Sequence, residues 1–281
     1  MKNHTRIFPR LASVLVLTLT LIFSFAYLTP ETRLRAVSAQ SMSPSGSFGF
    51  LVSASYSDPS NENGFAVLGV MNFDGAGSVT GSYTAENGDS ATQTSQPITG
   101  TLTGTYSSNP DGSGSVAITV DVGISFTFAM AITDGGQGLQ LVATQCSGGC
   151  NIGGTTTISG VARAAQTGSP NGSYGFQFTN SPTPGGSVGV ASFDGAGNVS
   201  ESFTFVGLTG TSGQPAVFSG KQTGTYSMNP DGSGTINLEA IPGLSGAQTY
   251  AFVITDGGSG ALLLQTNRAG NGVSFGTGRL Q

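Results

Sequence analysis

The chain has 281 residues and a formal net charge of −5, from 9 Lys and Arg against 14 Asp and Glu. A chain with so few cations has little with which to neutralise phosphates, which disfavours nucleic acid and anionic membranes as partners. Glycine supplies 45 residues, but apolar alternation between the glycines predicts turns in a β protein rather than disorder.

Residues 1–39 have the features of a cleaved signal peptide. A basic start precedes an apolar run over 11–28, and small residues at 37–39 favour cleavage after Ala39. An uncleaved membrane anchor is the alternative, because this run is close to the shortest that spans a bilayer. We therefore expect a secreted, cell-surface or periplasmic protein whose mature part has no membrane span.

The rest of the sequence consists of two halves that repeat each other in register. The segments 73–77, 104–107, 109–114 and 132–136 recur as 193–197, 224–227, 229–234 and 254–258. Such a duplication predicts two similar domains in tandem. We place them at 46–164 and 172–281, after a short segment at 40–45 and on either side of a linker at 165–171.

Alternation of apolar and polar residues with period two predicts eight strands in each repeat. In the first repeat the predicted strands are 47–55, 64–73, 77–85, 98–107, 113–120, 124–133, 138–145 and 154–163. In the second repeat they are 173–179, 186–193, 197–206, 216–227, 233–239, 247–255, 260–266 and 272–279. Asp-Gly and Asn-Gly turns between them are typical of antiparallel hairpins.

A flat meander of eight strands would leave two unpaired edges, and pairing the first strand with the last removes both. The predicted fold class is therefore all-β, with two tandem eight-stranded antiparallel up-and-down barrels. Two β-sandwiches with Greek-key links are the alternative.

Cys146 and Cys150 are the only cysteines. In an exported chain such a close pair predicts a disulfide, here one that closes the last hairpin of the first repeat. The single histidine, His4, lies in the leader, so a zinc site lacks ligands. We expect neither a metal nor a cofactor.

No motif of the sequence points to catalysis. The segment 185–189 fits the Gly-x-Ser-x-Gly pattern of hydrolases, but no histidine base is available in the mature chain. Each Asp-Gly turn offers one carboxylate, whereas a calcium loop of the EF-hand type needs several oxygen ligands from one stretch. We therefore expect a protein that is not an enzyme.

The repeat motifs resemble those of a functionally uncharacterised family of exported tandem-repeat β proteins of soil bacteria. The second repeat carries them at 172–176, 193–198, 224–231 and 256–258, and the first repeat carries close copies. The resemblance covers nearly all of the mature chain, and it implies no catalytic residues.

A looser resemblance connects each repeat with the calycin barrels, such as lipocalins. In those barrels an arginine of the last strand packs over a ring of the first strand. Phe48 and Tyr174 stand on the predicted first strands, and Arg163 and Arg279 stand on the last. The resemblance implies that Arg163 lies over Phe48 and Arg279 over Tyr174, where the barrels close.

The function we expect is that of an exported, non-enzymatic structural or interaction module of the cell surface or extracellular space. Its partner is unknown, with other surface proteins or glycans as the candidates. The alternative is a binder of small apolar ligands that uses a barrel interior. A pocket approaching roughly 300 Å³ with convergent polar groups distinguishes the alternative.

Overall fold

The computed structural model describes residues 43–56, 64–87, 97–148, 156–181, 185–209, 214–241, 246–268 and 272–281. The predicted signal peptide, 1–39, and Cys150 lie outside the described residues. Signal cleavage and the disulfide therefore stay predictions.

The described residues form sixteen strands, eight in each repeat. Those of the first repeat are β1 (Ser45–Tyr56), β2 (Phe65–Asp74), β3 (Ser78–Asn87), β4 (Ile98–Ser108), β5 (Ser113–Val120), β6 (Ser125–Thr133), β7 (Gly138–Ser147) and β8 (Thr156–Ala164). Those of the second are β9 (Asn171–Ser181), β10 (Gly185–Asp194), β11 (Asn198–Thr209), β12 (Gln214–Met228), β13 (Ser233–Leu238), β14 (Gln248–Thr255), β15 (Gly260–Gln265) and β16 (Val273–Leu280).

Each repeat closes into an eight-stranded barrel. Neighbours in the chain are neighbours in the sheet, every pair is antiparallel, and the first strand pairs with the last, β1 with β8 and β9 with β16. The predicted fold class is confirmed, and the sandwich alternative is wrong. Among the described strands, closure leaves neither barrel with an unpaired edge.

The shared Asp-Gly turns are held by hydrogen bonds from the backbone to the aspartate side chain. Asp74 Oδ1 accepts the N–H groups of Ala76 and Ser78 at 2.7 and 2.9 Å, and Asp194 makes the same two bonds in the second repeat. The backbone N–H groups of Ser78 and Ala76 hold the pKa of Asp74 below its usual value. These carboxylates therefore serve turn geometry.

A tyrosine seals one end of each barrel. The Tyr106 hydroxyl donates to the Pro44 carbonyl at 3.0 Å, and the Tyr226 hydroxyl donates to the Pro170 carbonyl at 3.1 Å. Both rings are buried. The repeated tyrosines thus fasten the segment that enters each barrel to the barrel end.

The arginines of the last strands face outward, so the predicted ring contacts are wrong. Arg163 lies opposite Gly49 on β1, whereas Phe48 lies opposite Ala164. Because successive side chains point to opposite faces of a strand, Phe48 enters the core while Arg163 reaches the outer surface. There the Arg163 guanidinium binds Asp134 of the first Asp-Gly-Gly turn.

The second repeat has the same arrangement. Arg279 lies opposite Gly175 and binds Asp256 of the second Asp-Gly-Gly turn at 2.8 Å. Tyr174 points inward and donates its hydroxyl to the Gly258 carbonyl at 2.5 Å. In both barrels the arginine therefore fastens the turn between the sixth and seventh strands to the last strand.

The barrels also pack against each other through an apolar cluster on their outer faces, a contact that the repeat motifs do not predict. Strands β1 and β2 contact β14 and β15, and β2 also contacts β16. The members of this interface cluster are all at most 7% exposed: Leu51, Ala66, Leu68, Val70, Val253, Leu262, Leu264 and Val273. The linker also contacts the second barrel, since the Gln166 N–H donates to the Ile254 carbonyl at 2.9 Å.

Independent folding of each repeat stays a prediction.

Gly49 is expected to be intolerant of a side chain because it lies in this interface. A Cβ there would lie 2.6 Å from Val253 Cγ1 and 3.1 Å from Thr255 Cγ2. Overpacking of this kind costs about 1–3 kcal/mol, so Gly49→Ala should lower the free energy of unfolding by that amount in urea titrations.

The matched control is Gly175→Ala, at the equivalent position of the second barrel. The atom nearest to a Cβ there would be Nε2 of Gln281, at 3.0 Å, which is the end of a flexible side chain. The change should therefore stay within about 0.5 kcal/mol of the parent protein. Equal costs at the two glycines would contradict the packing argument.

Candidate ligand site at the mouth of the second barrel

The two barrels differ in what faces inward near one end. In the first repeat Gly81 of β3 lies opposite Leu102 of β4. The equivalent pair of β11 and β12 is Glu201 opposite Gln222. A carboxyl and an amide thus replace a small and an apolar residue on the inner face.

The neighbouring strands carry the same kind of replacement. In the first repeat Phe126 and Phe128 of β6 lie opposite Ile118 and Val116. In the second repeat the equivalent positions on β14 are Gln248 and Tyr250. Four adjacent inward positions are therefore Gly, Leu, Phe and Phe in the first barrel and Glu, Gln, Gln and Tyr in the second.

The four polar side chains form one hydrogen-bonded chain, which we call the polar floor: Glu201, Gln222, Gln248 and Tyr250. Gln222 Nε2 donates to Glu201 Oε2 at 2.7 Å and to Gln248 Oε1 at 3.5 Å. The Tyr250 hydroxyl donates to Gln248 Oε1 at 2.6 Å. The chain links three strands across the barrel interior.

One acceptor of the polar floor is left over. Gln222 is 8% exposed, and its buried Oε1 has no hydrogen-bond partner among the described residues. Leaving a buried acceptor unsatisfied costs about 1–3 kcal/mol. The atom has almost no accessible surface, so a ligand could donate to it only after the side chains around it shift.

Burial controls the ionisation of the site. It raises the pKa of Glu201 to about 7, and the hydrogen bond from Gln222 opposes the shift only in part. Burial, with the negative charge of Glu201, also raises the pKa of Tyr250, which therefore stays a donor. Burial also lowers the pKa of Arg268, which lines the same pocket.

Above the polar floor lies an open pocket of about 460 Å³. Its walls include Phe203, Phe205 and Phe218, and the rings of Phe203 and Phe218 are 5.9 Å apart. Below the floor the interior is packed with apolar side chains, and the remaining cavity is about 30 Å³. The pocket has the size of a small-ligand site, and polar side chains make up more than half of the residues that line it.

The residues predicted from the calycin resemblance lie away from this site. Tyr174 stands near the start of β9, whereas Asn180 at the rim of the pocket stands near its end. The sequence did hold a signal for the site, namely the positions where the second repeat departs from the first. Glu201 in place of Gly81 is the clearest of these departures.

The described residues also bear on three other kinds of feature: a metal site, a membrane helix and a hydrolase turn. No group of three or more His, Cys, Asp or Glu side chains among these residues is placed to hold a metal ion. The part of the chain that the structure describes contains no helix with the length and apolarity needed to cross a membrane. The segment 185–189 lies within strand β10, so the strand-to-helix turn of a hydrolase is not formed there.

Comparisons with known proteins give no family. No family model matches the sequence, and no curated protein matches it. Among solved structures, a de novo designed fluorescence-activating β-barrel is similar over 46% of this chain and 98% of its own, with 14% identity and a TM-score of 0.30. The crystal structure of CghA with Sch210972 is similar over 85% of this chain and 89% of its own, with 9% identity and a TM-score of 0.24. At these TM-scores neither likeness bears on fold or function.

Proposed function

We propose that the protein binds a small amphipathic ligand at the mouth of the second barrel, while the first barrel acts as a filled support. The observation that carries the proposal is the polar floor, which replaces apolar residues of the first barrel. Duplicated barrels need only a packed core to fold. A buried polar chain at one end of one copy is better explained by a ligand than by folding.

The first barrel is the internal comparison. Leu102 and Phe128, at the positions of Gln222 and Tyr250, are 1% and 3% exposed and belong to its core. The second barrel exchanges that packing for a floor of hydrogen-bonding groups beneath aromatic walls. The walls would supply apolar contact area, and the floor would orient the polar end of the ligand.

The remaining parts of the function are proposals that rest on the sequence. Export rests on the signal-like segment 1–39, and the lack of catalysis rests on the absence of a histidine base from the mature sequence. The resemblance to exported tandem-repeat proteins supports a place at the cell surface or in the extracellular space. A structural or interaction role for the protein as a whole is compatible with ligand binding by one barrel.

Fluorescence titration with N-phenyl-1-naphthylamine, a neutral apolar fluorophore, tests the ligand site. The parent protein should bind the dye, and Gln222→Leu/Gln248→Phe should weaken binding at least tenfold. This double variant gives the second barrel the Leu102 and Phe126 of the first, so it replaces two of the four residues of the polar floor with residues that this fold already accommodates.

Gln177→Leu is the matched control, because Gln177 is exposed on the outer face of the same barrel. Dye affinity should be unchanged in this variant. Absence of dye binding to the parent protein, or equal binding by the parent and the double variant, would refute the proposed site.

A further inference from the structure

We infer that the ligand is an organic cation, with a primary or secondary ammonium group on an aromatic or apolar body. This inference rests on the proposed ligand site and names the chemistry that the site selects. Three features of the pocket carry it: the acceptors of the polar floor, the carboxyl of Glu201 and the aromatic walls.

The polar floor offers acceptors rather than donors. The Gln222 amide donates to Glu201 and Gln248, and the Tyr250 hydroxyl is used on Gln248. What remains is the Glu201 carboxylate, whose one hydrogen bond within the floor comes from Gln222, and Gln222 Oε1, which is buried and has no partner among the described residues. An ammonium group is the complementary partner, because it has only donors.

The charge of Glu201 also favours a cationic ligand. The ionisation of Glu201 responds to burial and to the Gln222 hydrogen bond, and neither supplies a positive charge. The other charged or titratable groups that line the pocket are Tyr250 and Arg268. Arg268 is partly buried, its Nη1 donates to the Val273 carbonyl at 3.4 Å, and its charge acts on Tyr250. A ligand cation on the floor would stabilise the ionised Glu201 carboxylate, because a buried charge is costly without an opposite charge beside it.

The walls suit a cation as well as an apolar body. Phe203, Phe205 and Phe218 surround the space above Glu201, and Tyr250 lies beside it. The face of an aromatic ring attracts an ammonium group within about 6 Å of its centroid. A neutral alcohol could donate one hydrogen bond to the carboxylate, but it has no positive charge to balance the carboxylate or to be attracted by the ring faces.

Three probes with one naphthalene body test the inference: 1-naphthylmethylamine, 1-naphthalenemethanol and 1-naphthaleneacetate. The chain has no tryptophan, so naphthalene fluorescence reports binding to the full protein with little background. The ammonium probe should bind at least tenfold more tightly than the alcohol, and the carboxylate probe should bind most weakly.

Glu201→Gln should reduce the affinity for the ammonium probe to that for the alcohol. The control is Glu239→Gln, which removes a charge from an exposed side chain that accepts the Thr223 hydroxyl outside the barrel. That variant should keep the preference for the cation.

A second measurement needs only the parent protein. Affinity for the ammonium probe should rise at least tenfold between about pH 5.5 and about pH 8.5 as the floor carboxyl ionises, while affinity for the alcohol stays flat. An alkylammonium remains protonated throughout this range. Equal affinities for the three probes, a preference for the carboxylate, or no pH dependence would overturn the cation inference and leave the ligand site standing. Failure of every probe and of the neutral dye would overturn both.

Discussion

Glu201→Gln is expected to stabilise the protein by about 3 kcal/mol above neutral pH. Burial raises the pKa of Glu201 from 4.5 to about 7. A tenfold change in an acid dissociation constant corresponds to about 1.4 kcal/mol between the ionised and protonated forms. Between these two pKa values the folded protein therefore holds a proton that the unfolded chain has released, and above them the folded protein must bury a charge. Glutamine keeps the shape and can still accept the hydrogen bond from Gln222, but it has no charge to bury.

The sign of the effect fixes its pH window. Below about pH 4.5 Glu201 is protonated in both states, and parent and variant should have similar stability. Between about pH 4.5 and about pH 7 the unfolded state ionises first, so the free energy of unfolding of the parent falls relative to the variant. Above about pH 7 the difference in the free energy of unfolding between variant and parent should be constant.

Urea unfolding at a series of pH values measures this difference. Other carboxyls also titrate, but the pKa of Asp74, lowered by hydrogen bonds from the backbone of Ser78, is common to both proteins and cancels. Glu239→Gln should show no such pH-dependent gain. A gain of the same size at every pH would mean that burial of the Glu201 charge is not its cause.

A destabilising carboxyl is easier to understand at a binding site than in a structural core. The first barrel shows that the same fold accepts glycine at this position, since Gly81 is the equivalent of Glu201. Functional sites commonly cost stability that the rest of the protein must offset. The predicted gain in Glu201→Gln and the predicted loss of cation preference in the same variant are two consequences of one buried charge.

Much of the fold could be predicted from the sequence because closed barrels follow local rules. Alternation as in Ser125–Met130 gives the strands, and repeated Asp-Gly turns give the antiparallel order. Closure follows from the need to pair two edges. The predicted arginine contacts are wrong for an equally local reason. The pairing register sets Arg163 opposite Gly49 rather than Phe48, so the Arg163 side chain points outward.

The candidate site was only partly visible in the sequence. Glu201 has the same alternation as Phe203 and Phe205, which places a carboxyl on an otherwise apolar inner face. Its partners could not be predicted, because Gln222 and Gln248 reach it from other strands. Their meeting depends on the register of three strands, and period-two patterns leave that register open.

The contact between the barrels had a sequence signal too. Strand β15 is apolar on both faces over Ala261–Leu264, whereas a barrel needs only one apolar face. Such a pattern predicts burial of the outer face but not the surface that covers it. In the structure the covering surface is the outer face of β1 and β2, including Leu51 and Leu68.

Leu264→Ala is therefore expected to lower the free energy of unfolding by about 2–5 kcal/mol, as truncation of a fully buried leucine does. Leu264 is 0% exposed although it points away from the interior of its own barrel. Its equivalent in the first repeat, Val142, points outward from β7 in the same way but is 47% exposed. Val142→Ala should thus change stability by no more than about 0.5 kcal/mol.

Calorimetry of the two variants separates an interface effect from a strand effect. If the barrels support each other through this cluster, Leu264→Ala should lower the melting temperature of both barrels, because the lost contacts belong to both. Val142→Ala should leave the trace close to that of the parent. Equal effects of the two substitutions, or a loss confined to the second barrel, would mean that the outer-face contact contributes little to the stability of the first.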